Sequence, residues 1–254
     1  MRPFLEAALG AEKPALFLDF DGTLVPIAPR PESVRMTAGR REALRRLAAV
    51  IPVAVVSGRP LTELDSLVGA RGLALAGNHG LEIRTRSGLW VHPGAAKMRP
   101  RLERALARAA PALASIPGFF IEDKGLTASL HFRLARPGSR ARIARLAAEA
   151  VAGLERRLDI RTGKKVIEIR PRVNWDKGRA VRRIQAGLTA GSTPIYIGDD
   201  RTDEDAFRAL AGRGLTARVG GCGPTTAGFR LAGVGEVWSV IRALLRKHAG
   251  TGRR

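Results

Sequence analysis

The apolar run Ala15-Leu16-Phe17-Leu18 passes directly into Asp19-Phe20-Asp21-Gly22-Thr23-Leu24. A run this short, followed by Gly22 and then by Pro26 and Pro29, reads as a buried strand that ends at the two acids. A strand that opens into a loop carrying carboxylates is where open α/β sheets build their ligand sites. Asp and Gly also favour turns, so a capped turn is the plain alternative at this point. A turn alone, however, does not require an acid at the end of an apolar strand, and buried acids are rarely unpaired.

The same pattern recurs. Thr37 is placed to cap a helix running to about Ala49. Pro52 to Val56 is a second apolar, β-branched run, ending in Ser57-Gly58-Arg59, with Pro60 at the first position of the next helix. Leu73 to Ala76 is a third, running into Gly77-Asn78-His79-Gly80, and Leu81 to Arg84 with Trp90 forms a hairpin. Residues 1–92 therefore read as β-α-β-α-β with a parallel sheet. From His92-Pro93-Gly94 the character changes. A helical pattern, Ala95 to Ser115, is interrupted or bent near Pro100 and Pro111. Strands Phe119 to Glu122 and Leu126 to Phe132 follow, then a helix from Pro137-Gly138 to about Leu158, then strands Asp159 to Thr162 and Val166 to Arg170. This α-β-β-α-β-β order over residues 93–172 predicts an antiparallel sheet with two helices on one face, inserted into the first domain. Residues 173–254 return to the opening style. They hold a helix from Asp176-Lys177-Gly178, a strand Pro194 to Ile197 that delivers Gly198-Asp199-Asp200, a helix capped by Thr202 and Asp203, a strand near Leu215 to Val219 and a helix from Val234 to His248. Ala249 to Arg254 reads as a frayed basic tail. The expected fold class is α/β with an α+β insertion.

Charge narrows the partners. The chain of 254 residues carries a formal net charge of +21, which raises nucleic acid or a membrane surface as partners. Only seven of the 44 basic residues are lysine, and the arginines are spread along helical stretches such as Arg40-Arg41 and Arg45-Arg46, a pattern that fits coding bias. Tyr196 is the only tyrosine and lies in an apolar strand, so stacking residues for nucleic acid are scarce. An anionic substrate is the economical reading. Seven of the 23 acids fall in two short stretches, Asp19/Asp21 and Asp199 to Asp205, which points to a cation site in a basic chain. The single cysteine, Cys222, excludes an intramolecular disulfide. No run approaches the ~18 apolar residues of a membrane span and the first residues lack a signal-peptide pattern, so a cytoplasmic protein with no membrane partner is expected.

A parallel sheet gathers the loops carrying Asp19/Asp21, Ser57-Gly58-Arg59, Lys177 and Asp199/Asp200 at one rim. They offer a carboxylate nucleophile, a second carboxylate, a hydroxyl with backbone donors, an ammonium and further acids. Phosphoryl transfer to an aspartate needs this inventory, with a divalent cation to offset repulsion between carboxylate and phosphate. Mg²⁺ needs only one or two carboxylates plus substrate oxygens.

The Asp19-Phe-Asp-Gly-Thr-Leu24 run resembles the first motif of the haloacid dehalogenase superfamily of phosphatases, with Ser57, Lys177 and Gly198-Asp199-Asp200 where its later motifs stand. Ser57-Gly58-Arg59, Gly77 to Gly80, Glu122-Asp-Lys124 through Arg133, Glu168 to Pro171, Asp176 to Gly178 and Tyr196 to Phe207 resemble the trehalose-6-phosphate phosphatases more specifically. That resemblance implies a Rossmann-like core, residues 1–92 and 173–254, with residues 93–172 as the cap domain. It implies Mg²⁺-dependent hydrolysis of a sugar phosphate, trehalose 6-phosphate, through an aspartyl-phosphate. Asp19 would be the nucleophile, Asp21 the acid/base, and Lys177 the neutralising cation. Asp199 would bind Mg²⁺ with the Asp19 carboxylate and the Asp21 backbone carbonyl, with Asp200 in support. Ser57, Gly58 and Arg59 would line the phosphate side of the substrate, Asn78 and His79 would touch sugar or phosphate, and Glu122, Lys124 and Glu168 would line the sugar side, with Arg170 a weaker candidate.

Several residues carry a second reading. Arg59 could pair with a core carboxylate, Asn78-His79-Gly80 could be only a turn, and Glu122, Lys124 and Glu168 could be solvated surface charge. Asp203 is expected to orient its loop and cap its helix. Glu204 and Asp205 are expected to be first-turn helix acids, and Trp175 has no assigned role. The resemblance also brings in a trehalose-phosphate synthase as partner. The alternatives are a phosphatase for sucrose, mannosyl-glycerate or glucosyl-glycerate phosphates, or a non-catalytic sugar-phosphate sensor subunit. Retention of Asp19, Asp21, Lys177 and Asp199 together argues against the sensor, because binding alone does not need both opening acids.

Overall fold

The computed structural model describes residues 1–28, 33–136, 138–163, 165–188 and 191–249. Contacts divide the chain into two compact units, Met1–Trp90 with Trp175–Arg254, and Val91–Asn174. Of the tail Ala249 to Arg254, all but Ala249 lies outside the described residues, as does Pro137 at the expected start of the insert's second helix.

In the larger unit each apolar run becomes a buried strand. They are β1 (Pro14–Leu18), β2 (Val53–Val56), β3 (Ala74–Gly77), β10 (Thr193–Gly198) and β11 (Leu215–Val219), with β12 (Phe229–Leu231) outside β11. Between Gly77 and Glu82 runs one 3-10 turn, and the hairpin β4 (Glu82–Thr85) and β5 (Gly88–Val91) follows it. The eight-stranded order is β12-β11-β10-β1-β2-β3-β4-β5. All pairs from β12 to β3 are parallel, and β4 turns back against β3. β12 and the N-terminal helix α1 (Arg2–Gly10) were not expected. β12 is three residues long, too short for a period to show, whereas α1 carries a legible pattern: Pro3 in its first turn, Phe4 and Ala8 four apart on its buried face, and Gly10 at its end.

Alternation along the strands sorts side chains to two cores. Leu16, Leu18, Val53, Val55, Ile195 and Ile197 meet α1, α2 (Ala38–Ala48), α3 (Leu61–Val68) and α9 (Val234–Ala249). Ala15, Phe17, Val56, Tyr196 and Ala76 meet α7 (Lys177–Leu188) and α8 (Asp203–Leu210) on the opposite face. A strand buried on both sides must be apolar throughout, which is why β1 and β2 read as continuous runs. Each fully buried Leu or Phe contributes roughly 1.5–3 kcal/mol, so β1 anchors the sheet centre.

The smaller unit begins with a short helical turn, α4 (Pro93–Ala96), and then α5 (Arg99–Ala114), which Pro100 starts and which tolerates Pro111 inside it. The pattern is thus interrupted near Pro100, as expected, giving two helices, because Pro lacks the N–H that a helix interior needs but suits a first turn. Strands β6 (Phe120–Asp123), β7 (Ala128–His131), β8 (Leu158–Gly163) and β9 (Val166–Pro171) form a sheet in the order β6-β7-β9-β8, antiparallel throughout. The second long helix, α6, is Ser139–Ala150 and ends earlier than the pattern predicts, with Gly153 at positive φ beyond it. Leu130, Ile167 and Ile169 pack with Leu102, Leu106 and Ile143 of α5 and α6, leaving the alternate residues on a polar face.

Candidate active site

β1 lies between β10 and β2, and the chain departs from it in both directions: β1-β2-β3 one way, β10-β11-β12 the other. A reversal of strand order leaves a crevice at the C-terminal strand ends. Asp19 directly follows β1, with its N–H donating to the Ile197 carbonyl at 2.9 Å, and Asp199 directly follows β10. The two acids, 180 residues apart in sequence, therefore flank one switch point.

The first residues of α7 and α8 complete the cluster. Lys177 Nζ, 2% exposed, donates to Asp19 Oδ1 and to Asp203 Oδ1, both at 2.7 Å. Asp203 is fully buried and accepts as well from the Tyr196 hydroxyl at 2.7 Å and from the Asp200 N–H at 3.0 Å. The ammonium thus lies between two carboxylates, one of which is itself fixed by two further donors. Charge-assisted bonds of this kind, out of water, hold geometry more firmly than surface pairs do. Asp203, expected to orient its loop and cap its helix, holds the loop through Asp200 N and is in addition the second anchor of Lys177. Its place five residues beyond Gly198, at the start of a helix, was the available signal.

Among the described residues, carboxylate oxygens of Asp19, Asp199 and Asp203 lie within 4.8 Å of one another. Burial, aided by the charges of Asp203, Asp199 and Asp200 and opposed by Lys177, pushes the Asp19 carboxyl well above its usual range. Burial and then the neighbouring Asp203 and Asp200 hold Asp199 up at about 7. Desolvation also disfavours the charged Lys177, but Asp19 and Asp203 outweigh it and raise its pKa well above the usual value. At Asp200 desolvation is outweighed by Lys177 and by the Thr202 hydrogen bonds, leaving the group at about 2. One ammonium does not balance four carboxylates. The set fits a divalent cation: hard oxygen donors, crowded and short of positive charge. Asp203 has little to give a metal, since its oxygens are taken by Lys177, Tyr196 and Asp200. Asp199 and Asp19 are the open donors.

Asp200 faces another task. Its Oδ1 accepts from Thr202 N and Thr202 Oγ1 at 2.7 Å and from Asp203 N at 3.3 Å. It shapes the turn into α8, and Thr202, expected as the cap, makes no side-chain capping bond. Glu204 binds Thr225 Oγ1, Thr226 N and Arg218, tying α8 to the loop after β11 and so doing more than satisfy the helix dipole.

Gly22 is required on two counts. Its φ is +83°, and a Cβ there would lie 2.1 Å from Asp199 Oδ2. Ser57 is 1% exposed at the end of β2, and its Oγ accepts from Arg59 N at 3.2 Å. Gly58 packs under the His79 ring, where a Cβ would meet Cε1 at 2.7 Å. Asn78 and His79 adopt left-handed backbone, φ +49° and +57°, costing of order 1–3 kcal/mol each. That conformation is held by Asn78 Nδ2 on Glu82 at 2.9 Å and by His79 N on the Ser57 carbonyl at 2.8 Å. The Asn78-His79-Gly80 segment is therefore a braced turn beside Ser57, more than a passive entry to the hairpin. Trp175 also gains a role: its Nε1 donates to the Gly80 carbonyl at 2.8 Å and its ring meets Trp90 at 4.9 Å, fastening the approach to α7 onto this turn. Arg59 pairs with Asp21 and Glu63, whose side chains are 36% and 32% exposed.

In the smaller unit, register places Glu122 opposite Ser129, Ser129 opposite Glu168, and Glu168 opposite Arg161, one polar strip across the sheet. Glu122 Oε2 lies 2.7 Å from His131 Nε2 and 3.7 Å from Lys124 Nζ, and Arg170 NH1 lies 4.0 Å from Glu168. His131, stacked on Phe120 at 4.5 Å, lies in the Glu122 to Arg133 stretch of the resemblance but had no role assigned; its alternation with Ser129 on one strand face was the signal.

A family model described as trehalose-phosphatase matches residues 17–233. A trehalose-phosphate phosphatase of Mycobacterium marinum is 41% identical over 217 residues, covering 83% of this chain and 55% of that protein. One from Mycobacterium avium is 40% identical over 210 residues, covering 80% and 53%. The chain thus spans about half the length of the curated relatives it matches. Among solved structures, a trehalose-6-phosphate phosphatase related protein aligns with a TM-score of 0.82 at 25% identity, over 94% of this chain and 100% of that one. A haloacid dehalogenase-like hydrolase from Bacteroides thetaiotaomicron aligns at 0.64 and 16% identity over 91% and 99%, a likeness of fold alone.

Proposed function

The chain belongs to the trehalose-phosphatase family, and from that premise we propose that it hydrolyses trehalose 6-phosphate to trehalose and phosphate through an aspartyl-phosphate on Asp19. The observation that carries this reading is the buried Asp19–Lys177–Asp203 array beside Asp199 at the strand-order switch point. An ammonium bonded to Asp19 Oδ1 fixes that carboxylate and offsets its charge as it meets an anionic phosphate.

In the first step an Asp19 oxygen forms a bond to phosphorus as the bond to the sugar oxygen breaks, and Asp21 delivers a proton to that oxygen. In the second, Asp21 takes a proton from water, the water oxygen bonds to phosphorus, and the Asp19–phosphorus bond breaks. Ser57 and nearby backbone N–H groups bind the phosphate oxygens. Mg²⁺, held by Asp19, Asp199 and the Asp21 carbonyl, would supply the charge that offsets carboxylate–phosphate repulsion. Glu122, Lys124 and Glu168 bind sugar hydroxyls, a role supported by their common placement around the polar strip of the smaller unit. Such remote contacts let binding energy serve the reacting centre.

Phosphate release with Mg²⁺ across trehalose 6-phosphate, sucrose 6-phosphate and glucose 6-phosphate tests the reading. Preference for the first is expected; comparable turnover of glucose 6-phosphate would sink the specificity assigned to Glu122, Lys124 and Glu168. Asp19→Asn should abolish turnover, and near wild-type activity would remove it as nucleophile.

A further inference from the structure

Arg59 holds both oxygens of Asp21: Nε donates to Oδ2 at 2.7 Å and NH2 to Oδ1 at 2.8 Å. Its NH1 donates to Glu63, four residues on in α3. The guanidinium lies over the Phe20 ring, 5.7 Å from the centroid, so the residue between the two opening acids forms its floor. The main chain is held as well, Arg59 N on Ser57 Oγ and the Arg59 carbonyl on Asn78 N at 2.8 Å. Arg59 is 7% exposed, whereas the Asp21 side chain is 36% exposed. Two contrasts follow. The Nε/NH2 fork is the edge of a guanidinium that matches a two-oxygen anion, and here Asp21 already fills it. A carboxylate that open to solvent, two residues past the end of its strand, would rotate freely without a two-point partner.

We propose that Arg59, oriented by Glu63, is a positioning residue that sets the rotation of the Asp21 carboxylate for proton transfer, and that it does not serve as a phosphate clamp. This rests on the acid/base role given to Asp21 above. Proton transfer needs the acid within about 2.6–3.2 Å of the departing oxygen, and misplacement by an ångström costs about 10²-fold in rate. A single hydrogen bond would leave the carboxylate free to turn about it; two parallel bonds fix its plane. Glu63 in turn keeps the buried guanidinium from following Asp21 or the incoming phosphate. The pairs are separated by 38 residues and by four, so the first is made by the fold and the second by the helix start.

The test compares leaving groups in a single turnover. Sugar release requires a proton on the departing oxygen; 4-nitrophenolate departs from 4-nitrophenyl phosphate without one. Arg59→Lys and Glu63→Gln are compared with Asp21→Asn as the reference for a missing acid. The proposal expects Arg59→Lys to slow trehalose release from trehalose 6-phosphate by about 10²-fold, and Glu63→Gln by about tenfold, with KM within about threefold and nitrophenol release within about threefold of wild type. Equal slowing of both leaving groups, or a KM raised tenfold or more for both substrates, would assign Arg59 to phosphate binding and overturn it. Unchanged release of both would overturn it too. If Asp21→Asn itself slows both leaving groups alike, the acid role fails first and the positioning role falls with it, an outcome distinct from failure of Arg59 alone. Should Arg59→Lys fold poorly, Glu63→Gln, whose side chain is 32% exposed, carries the same comparison.

Discussion

Replacing Lys177 with methionine keeps the volume of the side chain and removes its charge. Lys177 is 2% exposed, and its two carboxylate partners are 7% and 0% exposed in their side chains, so water cannot substitute for the ammonium. Removing one partner of a buried ion pair costs roughly 3–5 kcal/mol, because the remaining charges are left uncompensated. With a urea m-value of about 3 kcal/mol/M for a chain of this size, that is a midpoint shift of roughly 1–1.7 M. The sign of the pH dependence follows from the shifts. The folded pKa of Lys177 is raised, so its stabilisation is complete below its unfolded value near 10.4 and is lost only as pH rises through the folded value. The wild type therefore keeps it all at pH 7. In the variant, Asp19, already raised by burial, loses the cation that opposed that rise. Both proteins bear a penalty for ionising it that grows above the unfolded carboxylate value near 3.9, but the wild type's stops growing at its own folded value while the variant's, set higher, continues. Urea denaturation in EDTA at pH 5 and pH 7 measures this. The deficit should be larger at pH 7 and narrow at pH 5. A variant midpoint within about 0.3 M of wild type at pH 7, or a deficit independent of pH, would refute the account of Lys177 as the cation that compensates these acids.

Three further outcomes are expected. Gly22→Ala should abolish turnover and lower the unfolding midpoint of the protein, because a Cβ would lie 2.1 Å from Asp199 Oδ2 at a φ of +83°; retained activity would show that the loop can shift at little cost. Divalent-cation binding by calorimetry should be roughly tenfold tighter at pH 8 than at pH 6, since Asp199, held at about 7, must shed its proton to coordinate, and equal affinities would remove Asp199 as a ligand. Trp175→Phe keeps a ring against Trp90 but loses the bond to the Gly80 carbonyl, so a loss of about 1 kcal/mol should appear in urea denaturation, and none would make that bond incidental.

Local pattern made the strands legible. β1 and β2 are buried on both faces, and only continuous apolar runs satisfy that, so the runs around Phe17 and Val55 announce a central parallel sheet. The acids at the ends of those runs, and the αββαββ order of the insertion, are likewise written in periodicity and turn residues. β12 escaped because three residues show no period and its pairing with β11 defines it; α1 was legible from Pro3, Phe4, Ala8 and Gly10.

The partnerships within the site belong to another level. Lys177 meets Asp19 across 158 residues and Arg59 meets Asp21 across 38, distances over which periodicity carries no information. They depend on strand order, which puts β10 beside β1 and the first turns of α7 and α8 over the gap. The sequence alone therefore determined that Asp19 and Asp21 stand at the end of a buried strand with a basic residue and further acids near other strand ends. Only the tertiary structure decided that Asp203 shares Lys177 with Asp19, that Asp200 shapes a helix start through Thr202 and Asp203, and that Asp21 is gripped by Arg59. The physical reason is that burial of a charge is affordable only where folding brings its counter-charge within about 3 Å, and that meeting is a property of the assembled sheet.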